Sequence, residues 1–299
     1  MHIKAATAFS LAAVAGAVSV IGYSMSLPFR ILYEKAVFSG LPVHLHGLKI
    51  LQITDLHGRH SQRMQRDIWP FILGLDFDMA VICGDVILNN AAQLHPHLKG
   101  LRALAEKAPV FYVDGNHERN CYNEIAGLFK SIGIIPLYNR RGNFVVGAAG
   151  RGNTPVVSVA GFRDYEYLAR NRFKGVSALL ADIAARGGFH IILTHQPQIF
   201  DMLCKRLRAD MSQSMAKRSQ IQALVLAGHT HGGQVRLPFL PTLFAPGQGI
   251  LPKYGDGWYN NEDERLKLFI SRGVGATRFP IRMFNPPEVT VIELARGMI

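Results

Sequence analysis

The chain has 299 residues, 48% of them hydrophobic, and 33 Lys and Arg against 21 Asp and Glu, for a formal charge of +12. That composition excludes a disordered chain and allows one large domain or two small ones with a full core. Three cysteines, an odd number, give no disulfide framework and fit a reducing compartment.

Ala5 to Leu27 is a 23-residue run without a charged side chain, closed by Pro28 and Arg30. About 20 apolar residues cross a bilayer, so the run reads as an uncleaved single-pass anchor. A cleaved signal peptide is the alternative, with Ala15-Gly16-Ala17 imitating a cleavage site. Lys4 precedes the run and Arg30, Lys35 and Lys49 follow it. The bias of positive charge places the following domain on the cytoplasmic side of a cell inner membrane. The expected division is an anchor over 1–30, a connector over 31–46 that can pack on the domain, and a catalytic domain over 47–299. A basic surface suits anionic headgroups or a phosphorylated substrate. Nucleic acid is disfavoured, because the basic residues are scattered and no nucleic-acid module is present.

Five apolar runs then stop on polar side chains. Leu48–Thr54 ends at Asp55 and His57, and Met79–Cys83 at Gly84-Asp85. Val110–Val113 leads into Gly115-Asn116-His117-Glu118, Ile191–Thr194 ends at His195, and Ala223–Ala227 ends at Gly228-His229-Thr230-His231. Such runs read as buried strands, with Cys83 a small apolar residue inside one. Helical spacing recurs over Ala91–Ala108 and, less regularly, over Gln62–Leu73, Ala178–Ala185 and part of Pro197–Gln222. The alternation is the βαβ rhythm. The middle, Ile134–Phe162, breaks it with β-branched runs (Phe144–Val146, Val156–Val159) between turns, so it predicts antiparallel strands of a second sheet. Leu266–Ser271 and Glu288–Leu294 behave alike and read as further strands of that second, antiparallel kind.

Ligands gather outside the carboxyl ends of strands in open α/β sheets. Asp, Asn and His at five such ends therefore predict a site for hard or borderline divalent cations. Gly84, Gly115 and Gly228 each precede a candidate ligand and allow the sharp turns that would aim it.

The series Asp55-Leu56-His57, Gly84-Asp85, Gly115-Asn116-His117-Glu118, His195 and Gly228-His229-Thr230-His231 resembles the calcineurin-like metallophosphoesterase superfamily, over roughly Gly47 to Leu294. Thr194-His195-Gln196-Pro197, Ser271-Arg272-Gly273-Val274-Gly275 and Pro287-Glu288-Val289 narrow it to the bacterial YkuE/YaeI-type phosphodiesterases. These are similar also to the chlamydial-type UDP-2,3-diacylglucosamine pyrophosphatase. The resemblance implies an α/β fold, a four-layer α-β-β-α sandwich of two mixed sheets flanked by helices and preceded by the N-terminal transmembrane helix. It implies two divalent metal ions (Mn²⁺, Fe or Zn²⁺) activating a water for hydrolysis of a phosphodiester or pyrophosphate. Asp85 would bridge them, with Asp55, His57 and His231 on one and Asn116, His195 and His229 on the other. His117 would be the proton donor or oxyanion stabiliser that binds no metal, and Glu118, in place of the commoner Asp, would orient neighbours.

The expected substrate is phosphorylated and lipid- or nucleotide-linked. Arg163, Arg272, Arg278 and Arg282 are candidates for holding its second phosphate. Phe239, Leu240, Leu243 and Phe244 follow the last histidine pair and could form an apolar lip. A phosphomonoesterase or nuclease of the same superfamily and a binding protein without catalysis are the alternatives.

Overall fold

The computed structural model describes residues 28–57, 62–147, 155–164, 175–209, 221–236, 239–275 and 282–297. Residues 5–27, read above as the membrane segment, lie outside these, as does Arg278. Among the described residues no helix is long and apolar enough to cross a membrane.

Two six-stranded mixed sheets carry the fold. The first contains, in spatial order, β1 (Arg30–Phe38), β14 (Glu288–Arg296), β2 (Lys49–Ile53), β3 (Met79–Cys83), β4 (Val110–Val113) and β5 (Ile134–Pro136). The second runs β12 (Gly257–Asn260), β13 (Leu266–Ile270), β9 (Ile221–Ala227), β8 (Gly188–Leu193), β7 (Val156–Gly161), β6 (Arg140–Val145). A small hairpin, β10 (Phe244–Ala245) with β11 (Gly249–Ile250), stands apart.

Successive strand residues face opposite sides, and three apolar clusters result. Ile50, Val81 and Phe111 of the first sheet meet Val159, Ile191 and Leu224 of the second in one buried cluster. The outer face of the first sheet, with Leu51, Ile82 and Tyr112, packs under α1 (Gln62–Gly74), α2 (Leu98–Lys107) and α3 (Tyr122–Ser131) through Trp69, Leu101 and Phe129. The outer face of the second packs under α4 (Val176–Arg186) and α5 (Ile199–Ala209) through Leu180 and Leu203. The layers are thus helix, sheet, sheet, helix.

Three expectations need correction. Residues 31–46 are not only a connector: β1 is the edge strand of the first sheet and pairs with β14 along nine residues. The middle segment is only partly antiparallel, since β6 pairs so with β7, whereas β5 runs parallel to β4 and β7 parallel to β8. The two last strands separate, β13 joining the second sheet beside β9 and β14 returning to the first between β1 and β2. Pattern within a strand fixes burial but not the neighbour it pairs with, which explains all three.

Candidate metal centre

The five strand ends meet. β2, β3 and β4 are parallel neighbours in the first sheet, as β8 and β9 are in the second, so their carboxyl ends open on the same side. Asp55, His57, Asp85, His229 and His231 all have positive φ, between 50° and 74°, which few residues other than glycine adopt. Strain concentrated at five candidate ligands is characteristic of a functional site. Glycines make the close approach possible. A Cβ on Gly115 would stand 2.1 Å from Asp85 Oδ1, and one on Gly228 2.1 Å from Thr54 Oγ1 and 2.5 Å from Asp55 Oδ2.

Among the described residues three groups of donors lie close enough to share a cation: Asp55, His57 and His231; His57, Asp85 and His117; and Asp85, His195 and His229. His231 Nε2 is 3.2 Å from Asp55 Oδ1 and 3.1 Å from His57 Nε2. His195 Nε2 is 3.1 Å from both Asp85 Oδ2 and His229 Nδ1. All six are buried. Backbone carbonyls orient two of the rings: His57 Nδ1 lies 3.3 Å from the Ile87 oxygen and His195 Nδ1 2.8 Å from that of Cys83. With Nδ1–H donating there, Nε2 carries the lone pair that a metal requires.

Three buried atoms at this site have no hydrogen-bond partner among the described residues: Asp55 Oδ1, Asn116 Oδ1 and His229 Nε2. Buried polar atoms are rarely left so. An oxygen and nitrogen donor set without thiolate, with orphaned acceptors, fits divalent first-row metals.

Burial dominates the electrostatics. It raises Asp55 to about 6, against the opposing charge of His195, and lowers His57 and His229 each to about 3. His231 falls well below its ordinary value for the same reason. Burial, the largest single cause for each, would depress His195 and raise Asp85, but the mutual charge and hydrogen bond, with the charges of Asp55 on His195 and of His57 and His117 on Asp85, together outweigh it, so His195 rises and Asp85 stays well below the usual carboxylate range. Neutral His57, His229 and His231 beside an ionised Asp85 are in the protonation states that bind metal, and His195 would release its proton on binding a cation.

His117 is less buried than the six. Its N–H donates to Asp85 Oδ1 at 3.0 Å, its Nδ1 meets the Leu88 oxygen at 2.5 Å, and its Nε2 is 3.8 Å from Asp85 Oδ2. Glu118 is fully buried and accepts from the amides of Asp85, Gly115 and Ile87 at 2.8, 2.7 and 3.2 Å.

The arginines divide. Arg282 is buried and donates to the carbonyl oxygens of Arg272 and Gly273 at 2.7 and 3.1 Å and to that of Gly275. It also reaches His231 Nδ1 at 3.3 Å. The expectation that it lines a substrate cleft is corrected: it ties the loop after β13 to a candidate ligand. Arg272 pairs with Asp256 at 2.8 Å. Arg163 pairs with Asp114 at 2.9 Å and lies 3.7 Å over the Tyr122 ring. With Arg119, Cys121, Tyr122 and Glu124 it lines a cavity of about 390 Å³ beside the 116–118 turn.

Sequence reasoning missed Thr54, whose hydroxyl donates to Asp55 Oδ2 at 2.7 Å, and Asn285, whose amide donates to the His231 oxygen at 2.6 Å. Thr54 adjoins a candidate ligand and could have been found; nothing in the pattern marks Asn285.

The calcineurin-like phosphoesterase model, a family that works with a dinuclear metal centre, matches residues 48–233, more than half of the chain. The chain is 29% identical over 273 residues to the metallophosphoesterase YkuE of Bacillus subtilis, covering 87% of this chain and 84% of the relative. It is 29% identical over 253 residues to the phosphodiesterase YaeI of Escherichia coli, covering 82% of each. Against the UDP-2,3-diacylglucosamine pyrophosphatase LpxG of Chlamydia muridarum it is 25% identical over 300 residues, covering 84% of each. The chain belongs to the calcineurin-like phosphoesterase family and is a metal-dependent phosphoester hydrolase.

Proposed function

We propose that the protein hydrolyses a phosphodiester or pyrophosphate bond in a lipid- or nucleotide-linked substrate, with Asp85 shared between two divalent cations. Asp55, His57 and His231 would hold one cation and Asn116, His195 and His229 the other. The observation that carries this reading is the position of Asp85, whose Oδ2 lies 3.1 Å from His195 Nε2 on one side and 3.9 Å from His57 Nε2 on the other. When bound, the cations supply Lewis-acid charge to the phosphate oxygens and lower the pKa of an attacking water. His117, held by its Leu88 contact with Nε2 3.8 Å from the same carboxylate, would donate a proton to the leaving oxygen. Arg163 and the cavity beside it would take a polar part of the substrate next to the scissile phosphorus, and Arg272 and Arg278 would add charge.

The similarity to YaeI and LpxG supports a diester or pyrophosphate over a monoester. Residues 5–27 would anchor the chain in the inner membrane with the hydrolytic domain on the cytoplasmic side. The sharpest form of the reading is cleavage of UDP-2,3-diacylglucosamine. Purified protein with Mn²⁺ should release UMP from it. Hydrolysis of aryl phosphodiesters without UMP release would narrow the function to a phosphodiesterase with another substrate, and turnover of monoesters alone would contradict the proposal.

A further inference from the structure

Among the described residues thirteen large apolar side chains are exposed, and six of them, Val235, Phe239, Leu240, Phe244, Ile250 and Leu251, fall within one stretch of the chain. Phe239 is wholly exposed and, like Leu251, sits at positive φ (68° and 52°). Exposed apolar side chains that gather in a patch mark interaction sites. The stretch leaves the His229–His231 turn and folds back over it. Phe244 pairs across the β10–β11 hairpin with Ile250, and a Cβ on Gly247 in its turn would stand 3.3 Å from His229 Nε2. The hairpin that touches the donor cluster therefore presents exposed apolar side chains.

A second observation says what meets it. β14 is antiparallel to β2, and β1 is parallel to β14 with Arg30 opposite Glu288. The chain thus enters β1 at the end of the first sheet where Asp55 and Asp85 project. Arg30 N donates to the Pro287 oxygen at 2.9 Å, and nearby Met283 bridges Val235. The uncharged run ends at Leu27, and three residues of chain reach no more than about 11 Å. The apolar run and the apolar hairpin stretch are thus joined to the fold at the same, metal-bearing end.

We propose that Val235 together with residues 239–251 forms a membrane-docking surface that seats the mouth of the metal centre on a lipid bilayer. The occupant is the headgroup–acyl boundary, into which apolar side chains sink about 5–10 Å. The charge of +12 adds attraction to anionic lipid. A lipid-linked phosphoester would then reach Asp85 and His117 without leaving the membrane. The inference rests on the reading of residues 5–27 as a membrane segment and of the site as hydrolytic.

The test uses the full chain reconstituted in phosphatidylglycerol-containing vesicles whose acyl chains are brominated, with Phe239→Trp or Ile250→Trp as the reporter. Trp69 and Trp258, the two native tryptophans, set the background. Phe71, exposed near the last turn of α1, is the control as Phe71→Trp, because α1 runs back from the metal-bearing end. Bromine should quench roughly half of the emission that either reporter substitution adds, as for a ring sunk into the boundary, and leave the control unchanged. Equal quenching of reporter and control, or none, in protein that sediments with vesicles would overturn the docking surface alone. Protein that does not sediment with vesicles would overturn both surface and anchor. Unquenched emission that shifts to the blue as protein concentration rises would assign the surface to a second copy and overturn the lipid reading. Hydrolysis of a soluble aryl phosphodiester by the same preparation reports separately on the chemistry.

Discussion

One carboxylate oxygen of Glu118, Oε2, accepts the amide N–H of Asp85 at 2.8 Å and that of Gly115 at 2.7 Å. Burial, reinforced by the Asp85 charge, pushes Glu118 up to about 8, so its position has an electrostatic cost that the three amides offset. The side chain fastens the turn after β3 to the turn after β4 and thereby sets the spacing of Asp85 and Asn116. Glu118→Gln keeps one acceptor oxygen and puts an NH2 donor in place of the other, against at least one of those amides. We expect a 10- to 100-fold loss of metal affinity, in the range usual for groups that support ligands, and a loss of about 1–3 kcal/mol of stability. Metal titration and denaturant unfolding would measure the two, and a variant with unchanged metal affinity would remove Glu118 from this role.

His117 and the candidate ligands should separate experimentally. His117→Ala is expected to lower kcat by about 10²–10⁴-fold, as for loss of a positioned proton donor, while metal content stays at the parent level. Asp85→Asn should lose both. Steady-state kinetics with metal analysis of each variant makes the check, and loss of metal from His117→Ala would make it a ligand, consistent with its closeness to His57 and Asp85.

Glycine replacements give a steric test. Gly115→Ala and Gly228→Ala each bring a Cβ to 2.1 Å from a neighbour, so ligand positions must shift and activity should fall at least about 100-fold, the cost of roughly 1 Å of misplacement. Gly74, the last residue of α1, meets nothing within 4 Å, and Gly74→Ala should leave activity unchanged. Equal activity in all three would contradict the close packing described.

Away from the metal centre, His190 controls a pH effect on stability. Burial lowers its pKa from 6.5 to about 4, and its ring contacts Ser158 Oγ at 2.7 Å and the Gly187 oxygen at 3.0 Å. Between these values the unfolded chain takes up a proton that the folded chain refuses. Stability therefore falls as pH drops from 6.5 towards 4 and levels off below, by about 3 kcal/mol in all. In His190→Gln that part of the acid slope should be missing. Denaturant unfolding at pH 7, 5.5 and 4.5 would show it, and an unchanged slope would refute it.

The strand ends were legible because burial and chemistry coincide there: a fully apolar run marks a central strand, and the Asp, Asn or His after it marks the edge of a sheet. The pattern marked these strand ends, and six of the candidate ligands that the resemblance named, Asp55, His57, Asp85, His195, His229 and His231, lie in the donor groups of the fold. β1 was not legible, since RILYEKAVF is an edge strand whose exposed positions carry Tyr33 and Lys35. α3 was missed as well, because its short amphipathic run begins at Tyr122 directly after the 116–118 turn. Arg282 looked like a phosphate ligand because sequence gives its charge but not its burial; only the fold shows its guanidinium buried against the backbone carbonyls of Arg272, Gly273 and Gly275.

The central claim is that hydrolysis depends on two cations held around Asp85. Purified protein should carry close to two equivalents of a divalent metal by elemental analysis, lose hydrolysis of bis-p-nitrophenyl phosphate when a chelator removes them, and regain it when Mn²⁺ is restored. Full activity in metal-stripped protein would contradict the account.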